Sequence, residues 1–175
     1  MTVTTRLRTA AVATVVAATG ALALTTLPAT AGSAFTTTTK TVTRTPMPLP
    51  HMTAIRTGRH ATFDRVVLDL QGKAPGYKVG YVKVVREDGS GTVVAMRGRY
   101  HLMIRLTSAQ AHTNSGTPTY TGSHKFFVGL PELRQVAFVG DFEGVVSVAL
   151  GLAHRNGFRV FTLHDPTRIV VDIHH

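Results

Sequence analysis

From Thr62 to the C-terminus the chain alternates apolar side chains with others at a period of two, and turn-forming residues interrupt it about every ten positions. That period is the pleat of a β-strand, whose successive side chains point to opposite faces, and it cannot sit on one face of a helix. Phe63 to Gln71 places Val66, Leu68 and Leu70 on one side and Arg65, Val67 and Asp69 on the other; His101 to Thr107 turns Leu102, Ile104 and Leu106 inward. Tyr77 to Arg86 is rich in Val and Tyr and stops at Glu87-Asp88-Gly89-Ser90-Gly91, where Asp-Gly predicts a tight turn into a paired strand over Thr92 to Met96. A long polar loop follows from His112 to His124, then strands over Arg134 to Phe142 and Val145 to Leu152 around Gly140 and Gly144. Asn156-Gly157 is the strongest hairpin signal and predicts that Val145–Ala153 pairs with Phe158–Leu163. Asp165-Pro166 makes the last corner before Arg168 to Ile173, while Ser108 to His112 and Pro131 to Arg134 offer at most one helical turn each. About eight short strands of this kind make an all-β fold, a small β-sandwich of two sheets or a closed β-roll.

The first and last of these strands are near copies. Arg65-Val66-Val67-Leu68-Asp69-Leu70 matches Arg168-Ile169-Val170-Val171-Asp172-Ile173 in charge and side-chain branching. Within either copy Arg and Asp lie on one face about 13 Å apart, too far for an ion pair. Antiparallel pairing in register brings Arg65 opposite Asp172 and Asp69 opposite Arg168. A one-residue slip sends the whole charged set to the wrong face, so these pairs define the register. We read the four residues as structural.

Upstream the texture differs. Residues 1–31 have the parts of a secretory signal: Arg6 and Arg8, an apolar run from Ala10 to Leu27, then Pro28 before Ala29-Thr30-Ala31, with cleavage expected after Ala31. Thr14, Thr19, Gly20, Thr25 and Thr26 dilute the run as a membrane helix, Leu7 between the arginines argues against a twin-arginine signal, and no second apolar span follows. Gly32 to Ala61 contains no acidic residue, carries Thr36 to Thr39 and then Pro46, Pro48 and Pro50, and lacks alternation. Residues 32–54 are therefore expected to be a Thr/Pro-rich linker or tail, and 55–175 the folded domain.

No cysteine occurs, which excludes a disulfide framework and a lipid anchor on a cleavage-site cysteine. Of 19 Lys and Arg, 17 remain without Arg6 and Arg8; against nine acidic residues they leave a charge of +8. Such a domain suits an anionic partner at the cell envelope better than a nucleic acid, which an exported protein seldom meets.

Asp141 and Glu143, two apart on an expected strand, have the spacing of paired glycosidase carboxylates, but Gly140 and Gly144 beside them read as a bend. Nine histidines include no His-Glu-x-x-His, and His174 and His175 at the terminus are the nearest thing to a metal site, so no metal and no cofactor is expected. No Gly-x-Ser-x-Gly elbow or phosphate loop points to a hydrolase or kinase. The best candidate for ligand binding is Arg97, Arg99, Tyr100 and His101 together with His112, Asn114, Tyr120, His124 and Lys125 of the long loop. Guanidinium groups suit phosphate or carboxylate, and an exposed tyrosine offers a stacking face to a sugar. The alternative is that Tyr100 and Tyr120 edge the core and the basic residues are solvated.

Three segments carry a resemblance: Arg59-His60-Ala61-Thr62-Phe63-Asp64-Arg65-Val66-Val67-Leu68-Asp69, the centre from Gly140-Asp141-Phe142-Glu143-Gly144 through Leu152, and the ending Phe158-Arg159-Val160 through Leu163, Asp165-Pro166-Thr167-Arg168 and Val170-Val171-Asp172. Together they resemble the AMIN-like domain of secreted and lipid-anchored proteins of high-GC Gram-positive bacteria, itself distantly similar to the AMIN domain of envelope amidases and secretins. The resemblance implies a sandwich of two small sheets and, for the AMIN relatives, non-catalytic targeting to peptidoglycan or other envelope components. It transfers no set of binding residues, and no catalytic domain of the amidase kind stands beside the module here. The expectation is an exported, non-enzymatic envelope-binding module for peptidoglycan or an anionic wall polymer, with a secreted protein–protein interaction domain as the second class and a small hydrolase as the third.

Overall fold

The structure, a computed structural model, describes residues 34–175; the signal peptide expected over residues 1–31 lies outside them. Ten strands are present: β1 (Lys40–Val42), β2 (His51–Arg59), β3 (Phe63–Gln71), β4 (Gly76–Val82), β5 (Tyr100–Thr107), β6 (Lys125–Phe127), β7 (Leu133–Phe142), β8 (Val145–Leu152), β9 (Phe158–Leu163) and β10 (Arg168–His174). They form two antiparallel sheets, β1-β4-β5-β8-β7-β6 and β2-β3-β10-β9, and no helix occurs among the described residues. The all-β two-sheet expectation holds.

Alternation builds the core between the sheets. Val66, Leu68 and Leu70 of β3 and Ile169, Val171 and Ile173 of β10 meet Leu102, Ile104 and Leu106 of β5 and Val146, Val148, Leu150 and Leu152 of β8. All are buried, at roughly 1.5–3 kcal/mol for each large side chain taken from water.

The upstream copy is the third of ten strands and not the first of about eight, because β1 and β2 precede it at the sheet edges. β3 and β10 nevertheless pair antiparallel with Arg65 opposite Asp172 and Asp69 opposite Arg168, the register that the repeat predicts. Only the first of these becomes an ion pair: Arg65 Nε and Nη2 reach the Asp172 carboxylate at 2.6 and 3.0 Å. Asp69 is instead held by Arg56 of β2, at 2.6 and 2.7 Å, while Arg168 Nε turns back to the Pro166 carbonyl at 3.0 Å. The expected Asp69–Arg168 pair is thus corrected: β3 has a second neighbour, β2, whose long arginine reaches the same carboxylate.

Three other expectations change. Of the expected linker 32–54, the described part from residue 34 onward is not simply a tail. Thr36 exchanges backbone hydrogen bonds with Phe158, β1 pairs with β4, and β2, beginning at His51, pairs with β3. The segment clasps edges of both sheets, where pairing on one side only asks little of the side chains. Asn156-Gly157 does not close a hairpin. Both flanks of β8 are taken by β5 and β7, so this dipeptide carries the chain across to β9 in the other sheet. The two-residue turn with positive φ at both central positions falls at Glu143 (φ 50°) and Gly144 (φ 74°), joining β7 to β8. Finally, Thr92 to Met96 forms no strand. After a turn at Asp88–Gly91 it returns through one bridge, Arg86 to Val93, and the stretch 83–99 becomes a strap over the outer face of the larger sheet. Under it Val85, Met103, Ala137, Val139 and Ala149 make a second, small core.

Candidate functional site

The predicted ligand residues do not converge; the strap and the long loop distribute them to separate places. Tyr120 is buried, 5 % exposed, with its ring 5.3 Å from that of Phe138 and 6.2 Å from that of His124, and its hydroxyl donates to the Ser123 carbonyl. Burial raises its pKa. It offers no stacking face, and His124 serves as its lid. The loop around it is packed: Ala109 and Ala111 join the core, and Gln110 exchanges backbone hydrogen bonds with Pro50 and Met52 at the start of β2.

His112 and Asn114 lie in a polar cluster at that end. Asp141 Oδ2 accepts from the Ala111 amide at 2.9 Å and pairs with His112 Nδ1 at 2.5 Å; Gln110 Nε2 reaches His51 Nε2 at 2.8 Å and Asn114 Oδ1 at 3.3 Å. Asp141 is committed to this latch, and Glu143 leaves the strand's alternation in the β7–β8 turn. The two carboxylates therefore do not work as the facing pair that their spacing offers.

Arg99, Tyr100 and His101 do come together, where the strap enters β5. With Tyr81, Val82 and Lys83 at the end of β4, and with Arg155 after β8, they line a cleft of about 510 Å³. The cleft is basic and aromatic: Arg155 lies over the Tyr81 ring at 5.2 Å and Arg99 over the Tyr100 ring at 5.9 Å. No carboxylate lines it among the described residues. Tyr81 donates to the Asn156 carbonyl at 2.6 Å, and its pKa is pushed up to about 12 by burial first and by the nearby Glu132 carboxylate second. At neutral pH this phenol is a fixed donor. Glu132 itself is buried and accepts from the His154 amide and the Asn156 side chain, while His154 Nδ1 lies 3.0 Å from its carboxylate.

Arg97 and Lys125 meet on the other side of the strap. Arg97 stacks on Phe127 at 4.1 Å, and Lys125 donates to the Ala95 carbonyl. Tyr81, Lys83, Arg155, Phe127 and Gln135 were not visible as partners in the sequence; the only hint was that Lys83 and Arg155 each stand within two residues of another basic or aromatic side chain.

Most of the carboxylates have partners within the domain. Asp64, Asp69, Glu132, Asp141 and Asp172 are all engaged by arginines, histidines or backbone amides of the domain itself. Five of nine acidic side chains are thereby engaged internally, and among the described residues no ion pair holds Lys83, Arg97, Arg99 or Arg155 beside the strap.

Among the described residues no three His, Asp or Glu side chains are grouped to hold a metal ion, and no helix is long and apolar enough to cross a membrane. A search of curated proteins and a search of solved structures each find no match. A family model, that of the AMIN-like domain, matches residues 50–175 and so takes in β2 through β10. Matched over most of its length, with the repeat-bearing strands β3 and β10 side by side, the chain belongs to the AMIN-like domain family.

Proposed function

We propose that this domain is an exported, non-catalytic module that binds a polymer of the cell envelope, peptidoglycan or an anionic wall polymer, through the cleft of Tyr81, Lys83, Arg99, Tyr100, His101 and Arg155. Membership of the AMIN-like family supports an envelope-associated role. The observation that carries the reading is the cleft itself: three permanent cations and two tyrosine rings line it and, among the described residues, no carboxylate does. Guanidinium and ammonium groups attract phosphate or carboxylate oxygens, and the tyrosine rings give a sugar or polyol an apolar face. With 17 Lys and Arg against nine Asp and Glu after residue 31, the long-range field of the domain also favours an anionic surface.

The test is retention of the mature domain on purified cell walls, with and without prior removal of teichoic acid. Retention at moderate salt is expected, with charge reversal at Arg99 and Arg155 (R99E, R155E) lowering it about tenfold or more. Release by muropeptide competitors identifies glycan recognition, and loss of retention on removal of teichoic acid identifies the anionic polymer. Absence of retention on either wall preparation refutes envelope binding.

A further inference from the structure

A second cationic pocket lies across the strap from the cleft. Ala95, Met96 and Arg97 line it with Lys125, Phe127 and Gln135 around an open, shallow space of about 260 Å³. Gln135 is 1 % exposed; its Oε1 accepts the Arg97 amide at 2.6 Å, and its Nε2 is buried with no partner in the protein. A buried amide donor without a partner is unfavourable, and an acceptor oxygen bound in the pocket that Gln135 lines would satisfy it. Phe127, 62 % exposed, presents a ring with the Arg97 guanidinium over it. No carboxylate lines this pocket either, among the described residues.

The strap holds the two pockets at a set spacing. Gly98, at φ +102°, is pressed so closely onto the backbone of Gly151 and Leu152 that a side chain there would overlap it, and Gly151 in turn leaves room for the Arg97 carbonyl. Two peptide steps keep the Cα atoms of Arg97 and Arg99 within about 7.6 Å of each other, yet the residues line different pockets.

Resting on the envelope-binding reading above, we propose that the ligand is a linear phosphodiester polymer that crosses the strap at Gly98, with one phosphate at Arg99 and Arg155 and another at Arg97, Lys125 and Gln135. Donors that come from three separate chain segments, an arginine, a lysine and an amide, suit the tetrahedral oxygens of a phosphate better than a planar carboxylate, which one arginine satisfies in bidentate fashion. Occupying both pockets with one chain makes the second contact intramolecular, so affinity rises with chain length.

The probes are poly(glycerol phosphate) of about ten repeats and free glycerol phosphate, titrated calorimetrically against the wild-type domain and the R97Q and K125Q variants. Both substituted side chains are exposed, and thermal unfolding confirms that each variant is folded. Counted per phosphate repeat, so that the ten equivalent positions of the oligomer do not enter, the oligomer is expected to bind the wild type at least about tenfold more tightly than the monomer. Each substitution is expected to shrink that advantage to about threefold or less. An oligomer that binds no better than the monomer, or an advantage that survives both substitutions, overturns the two-pocket proposal; so does tighter binding of a carboxylated glycan of equal length. These outcomes differ from failure of the envelope reading, in which the wild-type domain is not retained on walls at all.

Discussion

Arg65–Leu70 and Arg168–Ile173 are nearly the same six residues, placed on adjacent strands, and they meet different fates. Asp172 is fully buried and receives two arginines, Arg65 from β3 and Arg159 from β9, with closest approaches of 2.6 and 2.8 Å. Both guanidinium groups also lie over aromatic rings: Arg65 over Phe63 and Phe161, Arg159 over Phe35 and Phe63. Asp69, the equivalent carboxylate, keeps 21 % of its side chain exposed and has one partner, Arg56, whose own side chain is 58 % exposed. The difference lies in the neighbours. At the Asp172 end, aromatic rings from β3, β9 and the N-terminal segment dry the pair; at the Asp69 end the sheet opens beside the Asp165-Pro166 corner. The same charges are structural glue in one environment and surface decoration in the other, because Coulomb attraction strengthens as water is excluded while exposed pairs are screened.

The largest test of this contrast is Asp172→Asn, which strands two partly buried guanidinium groups without a counter-charge. A loss of about 3 kcal/mol is expected in urea unfolding; a loss under about 1 kcal/mol breaks the comparison. Next is the charge swap R65D with D172R. It restores the cross-strand pair but sets the new arginine against Arg159, so stability should stay about 1–2 kcal/mol below wild type, and further replacement of Arg159 by Gln should recover part of it. Complete recovery in the double variant means that Arg159 adds nothing. The smallest effects belong to the other copy: Asp69→Asn should cost about 0.2–1 kcal/mol and Arg168→Gln under about 0.5 kcal/mol. A cost for Arg168→Gln comparable to that of Asp172→Asn would show that the copies are equivalent after all.

Leu102, Ile104 and Leu106 were legible as a buried row because strand alternation needs nothing beyond the local chain. The Arg65–Asp172 register was legible too, since complementary charges on two like strands admit few alignments. Asn156-Gly157 misled because a turn preference states how the chain can bend, not which strand has a free edge to receive it. His51 to Arg59 was hidden among threonines and prolines, for an edge strand with Met52 as its fully buried side chain needs little apolar pattern. The candidate site divided similarly. Arg99, Tyr100 and His101 stayed together as chain neighbours, whereas Tyr120 was lost to the core by contacts with Phe138 that no local spacing announces.

The sequence by itself determined the all-β class, the buried rows, the register of the two repeat strands β3 and β10, and the excess of positive charge. These follow from side-chain alternation and charge complementarity, which act over a few residues or along one strand pair. The tertiary structure alone decided which strands are edges, which carboxylates are consumed by internal partners, and which cations flank the strap at Gly98. Those depend on how separate segments exclude water from one another, a property of the packed sheets and not of any one segment.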